Sequence, residues 1–149
     1  MRSVISMASL LGLGLSGISA LACPNLAGNW ICKSDGGSTF TESVAQQAIP
    51  NGMLYTLTSG SGTEQLYVDG TAHPASMDGL TGTMTGNCAD NKTINYSGDL
   101  TSADGSESVK MTGSVILQED GTQVDSAQFV TTQGGQTSTT NGSGTCTRQ

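Results

Sequence analysis

The chain has 149 residues, with 12 acidic and 5 basic side chains and a net charge of -7 at pH 7. That length suits one domain with a modest core and excludes a two-domain enzyme. The acidity excludes nucleic acid and anionic membrane surfaces as partners.

At the N-terminus, Arg2 supplies a positive charge and Leu10, Leu11, Leu13 and Leu15 an apolar run. Ala20-Leu21-Ala22 then gives the small-x-small pattern that a signal peptidase accepts. Residues 1–22 read as a signal peptide, and 23–149 as a single domain exported to the periplasm or the medium. The run is too short and too broken by Gly and Ser to stay as a transmembrane anchor, and no later stretch qualifies as one. A lipoprotein also begins at a cysteine, which here would be Cys23. Its lipobox, however, wants a Leu-like residue where Ala20 stands, and lipidation would leave an odd number of thiols. Pairing Cys23, Cys32, Cys88 and Cys146 into two disulfides suits an exported domain with a thin core. Zinc is not expected, because no cysteine pair has CxxC spacing and the lone His73 is far from all of them.

Beyond Cys23 the chain is a series of short alternating runs. Asp-Gly recurs at Asp35, Asp69, Asp78, Asp104 and Asp120, and Asn-Gly at Asn51 and Asn141, pairs that tolerate the positive φ of tight hairpins. Ile94, Tyr96, Gly98 and Leu100 alternate with polar residues, as do Val109, Met111, Gly113, Val115 and Leu117. Leu80, Gly82, Met84 and Gly86 do the same between threonines. Period two predicts strands with one buried and one wet face. The expected segments are 28–34, 38–48, 53–59, 64–70, 80–88, 92–101, 107–118, 122–132 and 138–148. Few residues are Leu, Ile, Val or Phe, a composition that leans toward disorder. Low charge density, regular alternation and the added Tyr, Met and Trp side chains argue for a folded domain. The stretch Ser138–Gly144, with no large apolar residue, is the weakest strand.

The two ends of this meander share a register. In an antiparallel pair the opposed residue numbers have a constant sum, and Trp30 with Arg148 gives the same sum as Cys32 with Cys146. One register would therefore stack an indole on a guanidinium and bridge two sulfurs beside it. Such closure removes both sheet edges. The expected fold class is thus all-β, an antiparallel up-and-down meander closing into a barrel of about eight strands. Antiparallel closure needs an even count, so one segment has to be a loop, a split strand or a bulged continuation. The stretch around Asp69–Asp78, interrupted by Pro74, is the candidate.

Gly28-Asn29-Trp30 at the start of the first strand, the meander and a basic residue on the last strand together resemble the lipocalin-like (calycin) barrels. The resemblance implies that Trp30 closes the barrel floor and packs under Arg148. Leu26-Ala27-Gly28-Asn29-Trp30 followed by Gly37-Ser38-Thr39-Phe40 is also similar to the opening of avidin-type barrels. The later tryptophans of a biotin pocket have no counterpart, since Trp30 is the only one. Asp69-Gly70-Thr71-Ala72-His73-Pro74 is similar to an Asp-Gly-x-x-His-Pro turn of small exported bacterial β-proteins of lipocalin-like type, whose second motif, Thr-Asp-Tyr, is absent.

His73 is the one side chain expected to titrate near neutrality, but beside Pro74 and without a fixed partner it reads as a solvated turn residue. No Gly-x-Ser-x-Gly elbow occurs, and the acidic turns lack calcium-loop spacing. Neither catalysis nor a metal or cofactor is expected. Asn91, Asn95 and Asn141 match glycosylation acceptors. Tyr55, Leu57, Met84, Tyr96 and Met111 fall on the inward parity of their strands and would edge a ligand pocket. Gly82, Gly86, Gly98 and Gly113 share that parity, and either let strands coil around a filled core or leave room for a ligand. Two readings follow. One is an exported barrel binding a small hydrophobic or aromatic molecule; the other is a structural or interaction protein of the cell envelope with a filled interior and no ligand.

Overall fold

In the computed structural model, which describes residues 22–149, the chain is all β. The expected signal sequence therefore lies outside the described residues, apart from Ala22. The first strands are β1 (Gly28–Ser34), β2 (Thr39–Ile49), β3 (Gly52–Ser59), β4 (Gly62–Val68) and β5 (Ala72–Met77). There follow β6 (Leu80–Cys88), β7 (Thr93–Thr101), β8 (Glu107–Leu117), β9 (Gln123–Gln133) and β10 (Gln136–Arg148).

Turn chemistry explains most of these boundaries. Between β5 and β6, Asp78 (φ 49°) and Gly79 (φ 82°) both take the left-handed conformation that a tight primed hairpin demands. Asn141-Gly142, however, makes no turn. It runs through the middle of β10 opposite Gln128 and Ala127, and the reversal before β10 is made by Gly134-Gly135. β10 is almost wholly exposed except at Cys146, yet it is continuous over 13 residues. It pairs with β9 along most of its length and with β1 near its end, so its backbone ladders hold it where side-chain burial does not.

The sheet runs β4-β3-β2-β1-β10-β9-β8-β7-β6-β5, with the first and last strands of the chain side by side. There Trp30 stands opposite Arg148 and Cys32 opposite Cys146. The barrel is all β and closed, as expected, with nine strands in the ring, and its closure includes one parallel pairing. The final contact joins β4 to β6 in parallel at Val68–Gly86, supported by the Gly70 amide donating to the Gly86 carbonyl oxygen at 2.9 Å. The stretch Asp69–Asp78 supplies a tenth strand outside the ring: β5 pairs only with β6, as a flap, which leaves β4 and β6 running parallel and lets an odd number of staves close. Pro74 fits there because an edge strand does not need every amide. Gly86 permits the closure, since a Cβ on it would lie 2.7 Å from the Tyr67 carbonyl oxygen.

Two disulfides, Cys23–Cys88 and Cys32–Cys146, fasten the barrel, and no free cysteine is found among the described residues. They point to an oxidising, extracytoplasmic environment. Among the described residues no helix is long and apolar enough to cross a membrane. The main core cluster forms around Trp30, Val44, Tyr55, Val68 and Ile94, and Leu100, Val109 and Met111 are buried outside it.

Candidate functional site

The barrel floor is sealed by the residues that precede β1. Pro24 and Leu26 are buried there, and Cys23 is tied to β6 through Cys88. Burying this irregular segment requires partners for its polar backbone. Tyr55 Oη donates to the Pro24 carbonyl oxygen at 2.7 Å, and Trp30 Nε1 to that of Leu26 at 2.9 Å. The Leu26 amide donates to Gln46 Oε1 at 3.1 Å. The Arg148 guanidinium lies 4.7 Å from the Trp30 ring centre and donates to the Asn25 carbonyl oxygen, covering the indole.

Above the floor lies a cavity of about 240 Å³. Tyr55, Leu57, Met84, Tyr96 and Met111 all line it, with Tyr55 at its base. Leu66, Met77, Ile94 and Phe129 complete much of the apolar wall. An adjoining space of about 270 Å³ shares Tyr96, Asp125 and Phe129 with it and extends to Phe40, which is 45% exposed. The inward glycines mark close approaches more than open volume. A Cβ on Gly113 would collide with the Tyr96 ring, and one on Gly82 with the Asp99 carbonyl. At Gly98 a Cβ would meet only ordinary contacts, the nearest being the Met111 methyl at 3.4 Å.

The cavity is also acidic, which the apolar parity did not reveal. Glu42, Glu64 and Asp125 line it, and none of its lining side chains is basic. Burial pushes the Glu42 carboxyl up to about 7, with the charges of Asp125 and Glu64 adding to the effect. Burial likewise pushes Asp125 up to about 6, although Gln123 Nε2 donates to both of its oxygens, at 3.0 and 3.1 Å, and pulls the other way. The Tyr96 phenol is raised by burial and then by Asp125. Gln123 itself is only 3% exposed, and its Oε1 has no hydrogen-bond donor among the described residues. Such a site can hold protons near neutrality or receive positive charge. The signal for these residues was present in the sequence: Glu42 shares parity with Val44, and Gln123 and Asp125 share it with Phe129.

His73 is not a solvated turn residue. It sits half-buried on β5, stacked on Tyr67 with ring centres 4.1 Å apart, and its Nε2 lies 2.9 Å from Asp69 Oδ2. Asp69 also accepts from the Thr71 amide, the main cause holding its carboxyl below the usual range. This cluster pins the β4–β5 turn and does not line the cavity. Asn91, Asn95 and Asn141 are all exposed. Among the described residues, no three His, Cys, Asp or Glu side chains form a group able to hold a metal ion.

Fold and site together define a closed all-β barrel, disulfide-fastened and sealed at one end, with an apolar cavity carrying carboxyl groups. The chain matches no known family model and no curated protein sequence.

Proposed function

We propose that this chain is an exported lipocalin-like barrel, periplasmic or secreted, that binds a small hydrophobic or aromatic molecule. The observation that carries the reading is the cavity of about 240 Å³ above the Trp30–Tyr55 floor, with a wall built largely of apolar side chains. Its size lies just below the range of about 300–1,000 Å³ typical of drug-sized ligands, so the molecule it takes is a small one. Export is supported by the residues 1–22 pattern and by two disulfides. A sulfur of Cys23 committed to Cys88 is not free for a lipid thioether.

Native mass spectrometry of protein purified from its own host, together with fluorescence titration by the neutral probe N-phenyl-naphthylamine, tests the reading. A retained small molecule, or saturable probe binding that a Met84→Trp substitution blocks, supports it. A bare mass with no saturable binding favours the envelope structural protein instead.

A further inference from the structure

We infer that the barrel cavity recognises an organic cation, a primary amine on a small apolar or aromatic body, through Glu42, Asp125 and Gln123. This rests on the ligand-binding reading and names the class of ligand.

Carboxylates on the inward face of a β-barrel break the period-two rule that places apolar groups there. Burying a charge without a partner is unfavourable, so an inward acid normally carries a counter-ion. Among the described residues, neither Glu42 nor Asp125 has one. Lys92 pairs with Glu119, Lys110 lies 3.7 Å from Asp99, and Arg148 is spent on Trp30 and Asn25. The remaining described base, Lys33, is exposed, has the opposite parity to Cys32 on β1, and borders the adjoining space but not the cavity, forming no ion pair with Asp125. The positive charge that would balance the cavity is therefore not supplied by the described part of the chain.

A second observation is independent of the acids. Gln123 lines the same cavity, is buried, and leaves Oε1 without a donor. A native interior seldom tolerates an orphaned acceptor of this kind. Its amide nitrogen is already committed to Asp125, so the missing group must bring N–H or O–H donors. An ammonium brings three donors and one positive charge, which answers both deficits at once.

The wall decides between a metal ion and an organic cation. No three carboxylates or other ligating groups converge as a metal requires, among the described residues. Tyr96 and Phe129 line both the cavity and the adjoining space together with Asp125, and Met111 adds a polarizable side chain to the cavity wall. Aromatic faces attract a cation and also cover an apolar body.

Calorimetric titration of the mature protein with phenethylamine and with phenethyl alcohol, its neutral isostere, tests the inference. The amine is expected to bind at least about tenfold more tightly than the alcohol, as a charge-assisted contact with a half-buried carboxylate requires. That preference is expected to collapse toward unity in Glu42→Gln and in Asp125→Asn. The comparison on the native protein needs no variant, so a variant that fails to fold does not leave the question open. Equal binding of amine and alcohol, or a preference unchanged in both variants, overturns the cation assignment and leaves a neutral-ligand barrel standing. Failure of the amine, the alcohol and N-phenyl-naphthylamine alike overturns the ligand-binding reading and this inference with it.

Discussion

Replacing Asp125 by Asn removes a charge from the cavity while keeping the shape of the side chain. Burial raises the native carboxyl from 3.8 to about 6, so the folded state holds this proton more tightly than the unfolded chain does. The stability linked to it is complete below the unfolded value and is lost as pH rises through the folded one. Two pH units of difference correspond to at most about 3 kcal/mol, and residual structure in the unfolded chain brings the figure to about 1–3 kcal/mol. Glu42, raised to about 7, acts with the same sign, but it is more open and contributes less than its shift implies. Asp104, held near 2 by Ser106 and Ser102, acts with the opposite sign and only at lower pH. Urea unfolding of ligand-free protein, followed by Trp30 fluorescence, reads the effect. Wild type is expected to be less stable at about pH 8 than at about pH 5, and Asp125→Asn more stable than wild type by about 1–3 kcal/mol at the higher pH. The two proteins should converge at about pH 2, below both the folded and the unfolded value, where the acid is neutral in both states. An Asp125→Asn protein no more stable than wild type at the higher pH would falsify the argument that this carboxylate is desolvated.

Removing the Cys32–Cys146 bridge with paired serines should lower the unfolding free energy by about 2–5 kcal/mol, because it closes a separation of 114 residues. Denaturant midpoints check it, and an unchanged midpoint would show that the bridge does not constrain the chain. Gly86→Val forces a Cβ against the Tyr67 carbonyl and should open the β4–β6 seam, at about 1–3 kcal/mol. Hydrogen exchange at the Gly70 amide reports that opening, and retained protection would refute it. Trp30→Phe leaves the Leu26 carbonyl oxygen without its donor and should destabilise the floor by about 1–3 kcal/mol beyond the loss of packing. Thermal melting alongside Leu26→Ala measures the loss, and a neutral result would mean water satisfies that oxygen.

Much of this architecture is legible in local pattern. Alternation over residues 92–101 and 107–118 marks β7 and β8, and the spacing of Cys32 from Trp30 and of Cys146 from Arg148 sets the register of β1 on β10. Two features escaped that reading for identifiable reasons. β5 is short, contains Pro74 and joins one neighbour only, so its sequence resembles a loop. Asn141-Gly142 has turn chemistry, but the β9 ladder on one side and the nearby β1 pairing hold it extended.

The alternation of side chains fixes which residues face inward, since successive residues of a strand point to opposite faces whatever surrounds them. By that rule the sequence alone determined an all-β chain with paired ends and an inward set that includes Tyr55, Met84, Tyr96 and Met111. Curvature decided the rest. Glu42 on β2 and Asp125 on β9 are separated in the sheet by β1 and β10, and they influence each other only because the wall bends around a common interior. Distances across a barrel depend on how many strands close it and where, and here that was settled at Gly86, by contacts between strands that no local pattern encodes.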